Sequence, residues 1–432
     1  MSARRALMVS WLFPPQASIG SKRAVRFARH LPAQGWAPTV LCRTEVPPSL
    51  RDDTPEPLPS EVTVLRGYDH PVFSQLQRRF ASPPGPAVTP VAPSLQRGLA
   101  ARAQEAWHRA VDAVVPMETV ILHAPHAARR IEEIAPSHDL VWSTSYPYHS
   151  HLLALRTARR HRKPFVADLR DPWSLNWVHR RKLAPTRWIE RAAERAVLEG
   201  ADAVVVTTET LAERYRAMFP AQASRIHAVH NCFEPMHLGA RTPRATGAPL
   251  RVMHFGNVYG PWSLRTLFEA LAGLRREGAL PHAVEVHNLG KLSDRDRDHA
   301  RTLGLDGVVK ALPTMDYADG LRALRDADLL VLAAWDDPDA ALYIQGKLYD
   351  YLLAGTPFVA ETANPEVTDI VTRTGAGAVV APGDVSAMRE VILRASQGAS
   401  ISLRPRDSGV ISYYSAPEAT ARLAAIFDEV CR

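Results

Sequence analysis

Apolar residues in this chain gather into short runs, and the stretches between them carry an apolar residue every third or fourth position. Short runs suit buried strands, and the longer spacing suits helices that bury one face. Residues 6–11 form the first strand-like run. A loop containing Phe13-Pro14-Pro15 follows, and then a helix in which Val25, Phe27, Ala28 and Leu31 fall on one side. Further strands are expected at 38–42, 140–145, 165–169, 203–207 and 226–232. Residues 45–97 are rich in proline and hold no long periodic segment, so they read as a long excursion, and 98–134 read as helical. A stretch of Gly, Thr, Pro and Ala over 237–249 reads as a linker. A second alternation then begins, with strands at 250–255, 283–289, 308–311, 329–333, 357–360 and 378–380. Residues 416–430 form a last amphipathic helix. Strands that alternate with crossover-length helices predict an α/β protein with parallel sheets. The expected domains are 1–236 and 250–415, followed by a C-terminal helix in 416–432. Two doubly wound domains in succession would bind ligand at the C-terminal ends of their strands, in a cleft between them.

Composition changes this picture little. A chain of 432 residues is long enough for two cores, and 46% hydrophobic with 22% charged residues suits a globular protein. No apolar run approaches the roughly 20 residues that span a bilayer. The N-terminal residues lead straight into a Phe-Pro-Pro loop and read as a strand, not a signal peptide. Three scattered cysteines, Cys42, Cys232 and Cys431, offer neither a disulfide framework nor metal spacing, so the cytoplasm is the expected compartment. Charge is uneven: residues 1–240 hold 31 basic against 21 acidic residues, and the remainder holds 21 against 24. A basic first half fits a solvated surface, an anionic acceptor, or peripheral contact with anionic lipid on the inner face of the cell membrane. The densest run, residues 156–163, has no interleaved aromatics, and no nucleic-acid module is visible.

The most informative stretch is 342–360. Gln345-Gly346-Lys347 stands where a helix should start, and Gly355 followed by Pro357 should end it. The start of a helix offers backbone N–H groups and a partial positive charge, and here also a lysine, which together suit a phosphate or pyrophosphate. Asp350 follows Lys347 by one turn on the same face. A cation for phosphate beside a carboxylate for a sugar hydroxyl suggests a nucleotide-sugar site.

Asp350-Tyr-Leu-Leu-Ala-Gly-Thr-Pro357, preceded by Gly346-Lys347-Leu348-Tyr349, resembles the nucleotide-binding helix of retaining GT-B glycosyltransferases of family 4. The resemblance implies two Rossmann-like domains facing a cleft, the first on the acceptor side and the second binding the nucleotide sugar. It also implies that the C-terminal helix packs back on the first domain. Within it, Gln345, Gly346 and Lys347 would hold the diphosphate and Asp350 the ribose. Such enzymes often carry two glutamates at a fixed spacing. Here the first position falls on Leu342 and the second is shortened to Asp350, with Asp337 or Asp339 as possible substitutes for the first. Other stretches follow the same order. Gly20, Lys22 and Arg23 resemble the loop after the first strand, where glycine lets backbone approach substrate. His254-Phe255-Gly256-Asn257 resembles the loop facing the diphosphate, with Arg265 and Lys291 as the nearest basic residues. His230-Asn231 resembles the segment near the hinge. Thr207-Thr208-Glu209 resembles a strand-end turn, read as a helix cap before a site. Asp168-Leu169-Arg170-Asp171 ends a strand. Two carboxylates and an arginine there are either an internal ion-pair network or an acceptor site, the latter preferred, with Asp171 on an acceptor hydroxyl and Arg170 on an acceptor phosphate. His149 and His151 are further candidates for the acceptor pocket.

The reaction implied is transfer of a hexosyl or related group from a nucleoside-diphosphate sugar to an acceptor hydroxyl, with retention at the anomeric carbon. The acceptor would be a glycan, a lipid-linked glycan or a small molecule, in bacterial polysaccharide, lipopolysaccharide or glycoconjugate synthesis. Helix amides and Lys347 would neutralise the leaving group, so no metal and no cofactor beyond the nucleotide-sugar co-substrate is expected. Two rivals share the fold: a sugar-nucleotide epimerase, and a nucleotide-sugar-binding partner subunit weakened in catalysis by the loss of the first acid.

Overall fold

The computed structural model describes residues 3–47, 50–52, 57–73, 113–117, 119–242, 244–245, 247–260, 262–313, 315–335 and 339–432. It divides into two compact units. One comprises the chain up to Glu234 together with Ala416–Arg432, and the other runs over Pro235–Ser415.

In the first unit, strands β1 (Arg4–Val9), β2 (Trp36–Cys42), β3 (Thr63–Arg66), β4 (Leu140–Thr144), β5 (Phe165–Leu169), β6 (Ala203–Val206) and β7 (Ile226–Ala228) form one parallel sheet in the order β3-β2-β1-β4-β5-β6-β7. Helices α1 (Ile19–His30), α2 (Ala124–Ile134), α3 (His149–His161), α4 (Ala184–Gly200) and α5 (Glu209–Met218) make the crossovers. Strands β4, β5 and β6 are buried along their whole length because helices cover both sides. Strand order reverses between β1 and β4, so the loops leaving these strands diverge and open a crevice at their ends.

The excursion proposed for 45–97 therefore contains an edge strand: β3 pairs with β2 from Thr39↔Thr63 to Cys42↔Arg66. Four residues with an exposed face are too short to show a period. Of the helix expected over 98–134, residues 98–112 lie outside the described residues, and 124–134 is helical. The strand expected over 226–232 is paired only over 226–228, since the His230 carbonyl is taken by the Arg23 guanidinium instead of a neighbouring strand.

The second unit repeats the winding. Strands β8 (Leu250–Phe255), β10 (Val284–Leu289), β11 (Val309–Leu312), β12 (Leu329–Leu332), β14 (Phe358–Glu361) and β15 (Gly377–Val380) are ordered β11-β10-β8-β12-β14-β15, again reversing beside the first strand. Its helices are α6 (Arg265–Arg276), α7 (Asp294–Thr302), α8 (Tyr317–Asp326), α9 (Lys347–Ala354), α10 (Pro365–Thr374), α11 (Val385–Ser396) and α12 (Ser408–Ser412). A two-stranded antiparallel ribbon of β9 (Trp262–Ser263) and β13 (Ala334–Trp335) has no periodic signature, being two residues a side.

The last helix, α13 (Ala416–Val430), belongs to the first unit, as expected. Ala416, Ala419, Leu423 and Phe427 enter the same core as Met8, Phe27, Trp36 and Trp142. The Phe427 ring meets Trp36 edge-on at 5.4 Å, and Asp428 accepts the Trp36 indole N–H at 3.0 Å. Burying a side chain of that size stabilises by about 1.5–3 kcal/mol, which anchors the chain end after its excursion through the second unit.

Candidate functional site

The stretch 342–360 folds as its residues require. Helix α9 starts after Gly346 and stops at Gly355, whose φ of 81° is the left-handed conformation that ends helices. Two of its first-turn amides are used locally, Leu348 N–H to the Gln345 carbonyl and Tyr349 N–H to the Gly346 carbonyl. The amides of Gly346 and Lys347 stand at the same helix start.

Lys347 turns toward the end of β8. Its Nζ lies 2.9 Å from His254 Nε2. The protonation of that pair follows from the bonds behind it. The Gly290 carbonyl can only accept, so the Asn288 atom 2.7 Å from it is the amide nitrogen. Asn288 Oδ1 therefore faces His254 Nδ1, at 2.7 Å, and Nδ1 must carry the proton. Nε2 is left as an acceptor, and Lys347 donates to it. Burial, and then the Lys347 charge, hold His254 well below its usual pKa, so the ring is neutral. Burial likewise lowers Lys347 to about 7, with Asp350 opposing the shift.

Backbone approaches this lysine closely. Gly256 has φ of 99°, and a Cβ there would lie 3.6 Å from Lys347 Nζ. Gly290 has φ of 131°, and a Cβ there would sit 2.7 Å from the Gly256 carbonyl carbon, so the loops after β8 and β10 touch without room for a side chain. Asn257 Oδ1 accepts the Lys291 N–H at 2.8 Å and ties the same loops together. Gln345 donates to the Ala333 carbonyl, just past β12, at 2.8 Å, and its buried Oε1 has no hydrogen-bond partner among the described residues. Gly256, Asn257, Gln345, Gly346 and Lys347 thus gather where strand order reverses between β8 and β12, the place where doubly wound sheets bind ligands.

Sequence reasoning missed what holds this crevice open. The Tyr351 hydroxyl donates to the Val331 carbonyl of β12 and accepts the Phe255 N–H of β8, each at 3.0 Å, so it sits between strands whose own ladder ends at Leu330↔Met253. Asp350 is buried, and its Oδ1 accepts the Tyr317 hydroxyl at 2.5 Å. Asn364, also buried, does two jobs. Its Oδ1 accepts the Glu366 and Val367 amides and caps α10, while its Nδ2 lies 3.0–3.3 Å from the Ala340, Ala341 and Tyr343 carbonyls. One side chain therefore fixes the loop that contains Leu342. Leu342 is itself buried, and Asp339 ends the described part of that loop, while Asp337 lies outside it. An Asn before a Pro at a helix start was a legible cap signal; its second set of bonds was not.

Arg265 does not join this group. It starts α6, is largely exposed and pairs with Glu269 one turn along its own helix at 2.7 Å.

In the first unit several expected acceptor residues prove internal. Asp168 and Arg23 are a buried ion pair at 2.7 Å. Thr144 also donates to Asp168, and the other Arg23 nitrogen reaches the His230 carbonyl and Asn231, so burial is offset by a full set of partners. The reading of Asp168 and Arg23 as acceptor contacts is thereby corrected to a clasp joining α1, β5 and the segment after β7. His149 is buried with Nε2 2.9 Å from the Tyr68 hydroxyl, and burial lowers it to about 4, which makes it a neutral core histidine instead of a pocket lining. His151 pairs with Ser143 at 2.7 Å and is pushed down by burial to about 3. Lys22 is mostly buried, 3.8 Å from Asp52. A Cβ at Gly20 would stand 1.9 Å from Arg170 Nη1 and 2.6 Å from Leu12 Cδ1, so these side chains pack directly against the glycine. Arg170 in turn grips Asp171 through Nε and Nη2 at 3.0 and 2.6 Å, and Asp171 keeps 38% of its side chain exposed at the end of β5. Thr208 caps α5, in line with the cap reading. Among the described residues no group of His, Cys, Asp or Glu is arranged to hold a metal ion, and no helix is long and apolar enough to cross a membrane.

Comparison with known proteins adds the family. Residues 20–232 match the family described as Glycosyl transferase 4-like domain, and residues 249–397 match Glycosyl transferases group 1. A Sorangium cellulosum protein, UDP-N-acetylglucosamine--N-acetylmuramyl-(pentapeptide) pyrophosphoryl-undecaprenol N-acetylglucosamine transferase, is 29% identical over 251 residues, which is 55% of this chain and 59% of that protein. The alignment thus spans little more than half of the relative's length. Among solved structures, sucrose-phosphate synthase from Thermosynechococcus elongatus superposes with a TM-score of 0.57 at 14% identity, over 99% of this chain and 96% of that one. HepE from Anabaena, in complex with UDP and glucose, also gives 0.57 at 14% identity, over 99% and 100%. At that identity the likeness concerns the fold, which is the GT-B fold of glycosyltransferases.

Proposed function

The chain belongs to the glycosyl transferases of group 1, with a 4-like first half, and from that premise we propose that it moves a sugar from a nucleoside-diphosphate sugar to an acceptor hydroxyl with retention of anomeric configuration. The observation that carries the reading is Lys347. Its Nζ is held against a neutral histidine, beneath a glycine loop, at the reversal point of the second sheet. A buried amine with a pKa of about 7 gains its full charge when an anion arrives. The diphosphate of the donor is that anion, with the Gly346 and Lys347 amides as further donors. UDP is the first nucleotide to test, because Anabaena HepE was crystallised with UDP and with UDP-glucose. Asp350, already bonded to Tyr317, would take a ribose hydroxyl.

In the transfer, the acceptor oxygen bonds to the anomeric carbon on the face from which the diphosphate departs. The carbon–oxygen bond to the phosphate breaks, and the leaving phosphate oxygen takes the acceptor proton. Lys347 then stabilises the charge on the departing diphosphate, and the residues ask for neither a separate strong base nor a metal. Asp171, with its exposed carboxylate gripped by Arg170, would orient the acceptor hydroxyl. The acceptor would be a glycan, a lipid-linked glycan or a small molecule of polysaccharide or lipopolysaccharide assembly, met at the inner face of the membrane. Release of nucleoside diphosphate from a panel of nucleotide sugars tests the reading, with NMR of the product anomer testing retention. Donor-dependent release that falls sharply in Lys347→Ala is expected. One observation favours a second reading, a binding subunit: Leu342 places a buried apolar side chain where family members carry an acid. Tight nucleotide binding without release from any donor would establish that alternative and overturn the first.

A further inference from the structure

Lys347 is set up for more than charge. A lysine kept only to bind phosphate needs its proton, and a carboxylate beside it would hold that proton in place. Here the neighbour is an imidazole. Nζ stands 2.9 Å from His254 Nε2, an acceptor because Nδ1 carries the ring proton and gives it to Asn288 Oδ1 at 2.7 Å. Asn288 is fixed in turn by its donation to the Gly290 carbonyl at 2.7 Å. His254 and Asn288 are both buried, so this chain of bonds keeps one orientation. The acid of the same helix, Asp350, is engaged by the Tyr317 hydroxyl at 2.5 Å.

An amine against the acceptor nitrogen of a base, with that base oriented by a third group, is the arrangement of an activated nucleophile. Burial lowers Lys347 to about 7, so about nine-tenths of it is free amine at pH 8, against less than about one per cent of an ordinary lysine. Lys22, Lys182 and Lys310 are arranged differently. They face Asp52, Glu190 and Glu285 at 3.8, 2.5 and 2.8 Å, so their nitrogens are taken up in ion pairs. The loop after β8 leaves room beside Nζ: Gly256, with φ of 99°, has no side chain, and a Cβ there would lie 3.6 Å away. The Gly346 and Lys347 amides stand next to the amine, at the start of α9.

We propose that Lys347 is a nucleophilic amine that takes an acyl group from an acyl phosphate, and that this modification switches off donor binding. The helix start selects the acyl donor, because it suits the phosphate that must leave. The amine lone pair attacks the carbonyl carbon, the bond from that carbon to the phosphate oxygen breaks, and phosphate departs with the electron pair. His254 Nε2 takes the proton that the amine sheds and passes it to the departing phosphate. An amine and an acyl phosphate thus become an amide and inorganic phosphate. The amide carries no charge, so the diphosphate loses its cation. Nucleophilicity rests on the bonds around Nζ, whereas the loss of donor binding rests on the donor reading.

Incubating the full chain with acetyl phosphate at pH 8, and locating acetyl groups by peptide mass spectrometry, tests it. Lys347 should be acetylated at least about tenfold faster than the other five lysines, a comparison that needs no variant. His254→Gln removes the base and should slow the reaction at Lys347 by about a hundredfold. Asn288→Leu releases the ring and should slow it too, with thermal unfolding reporting the integrity of both variants. Acetylated protein should bind UDP about tenfold to a hundredfold more weakly, the worth of one hydrogen bond to a charged group. Lys347 labelled no faster than the other lysines, or an undiminished rate in folded His254→Gln, would overturn the inference. So would equal selectivity with p-nitrophenyl acetate, which has no phosphate to dock. UDP calorimetry on the unmodified chain separates the two readings. Binding without labelling of Lys347 overturns this inference and leaves the donor reading standing, whereas labelling without UDP binding upholds the nucleophile and overturns the donor reading.

Discussion

Raising the pH from 7.5 to 9.5 should strip most of the remaining charge from Lys347 in the ligand-free chain, and nucleotide affinity should fall with it. The buried amine has a pKa of about 7, depressed mainly by burial, so about a quarter of it is protonated at pH 7.5 and less than about one per cent at pH 9.5. A bound diphosphate favours the protonated form and raises the pKa. Binding therefore draws in a proton, and affinity is greatest below pH 7 and declines as pH rises through and above it. Over these two units the loss is about 80-fold, or about 2.6 kcal/mol at 1.36 kcal/mol per pKa unit. The phosphate's own second ionisation, near pH 6, is complete throughout and adds no slope. Calorimetry of UDP binding in two buffers of different ionisation enthalpy measures both quantities, with uptake of about three quarters of a proton expected at pH 7.5. Lys347→Arg keeps its charge and should bind with little pH dependence, whereas Lys347→Met should bind weakly at every pH. An affinity that stays level from pH 7.5 to 9.5, with no proton uptake, would refute the assignment of Lys347 to the diphosphate.

Other consequences follow from single contacts. Tyr351→Phe leaves the Phe255 N–H and the Val331 carbonyl without their partner at the crevice, a loss of about 1–3 kcal/mol for each buried group that denaturant unfolding would register. Asn364→Asp preserves the cap of α10 but sets a carboxylate against the Ala340, Ala341 and Tyr343 carbonyls. Its nucleotide-sugar KM should rise more than its Tm falls, and an unchanged KM would show that the clamped loop does not contact donor. Gly20→Ala drives a methyl group into Arg170 and Leu12. A cost of about 1–3 kcal/mol for overpacking is expected, with transfer reduced more than UDP binding, since the disturbed pair is Arg170–Asp171. Equal losses in both measurements would count against a role for that pair on the acceptor.

Much of the fold was legible because apolar runs and helical spacing are local signals. Strands β8 and β12, the limits of α9 and the existence of α13 as an amphipathic helix all follow from patterns that a few residues carry, whereas its packing on the first unit was implied by the family resemblance. The edge strand β3 and the ribbon β9–β13 were not legible, being too short or too exposed to show a period. The same division runs through the site. Gly346, Lys347 and Asp350 stand out because helix starts and stops have their own residue types. Asp168 looked like an acceptor residue because charge at a strand end is costly to bury unpaired, Arg23 because its segment resembles the family's first loop, and His149 because it follows Tyr146-Pro147. Their partners, at Thr144, His230 and Tyr68, are far off in sequence, and only those partners identify them as internal.

By itself, then, the chain's pattern determined two doubly wound domains, a phosphate-suited helix start and a basic first half. Tertiary structure alone decided that Lys347 rests on a neutral His254, that Tyr351 separates β8 from β12, and that Asn364 clamps the loop containing Leu342. The reason is physical. Periodicity and caps depend on neighbours within a turn or two, whereas the charge on a lysine and the direction of a carboxylate depend on burial and on partners that folding brings from tens or hundreds of residues away.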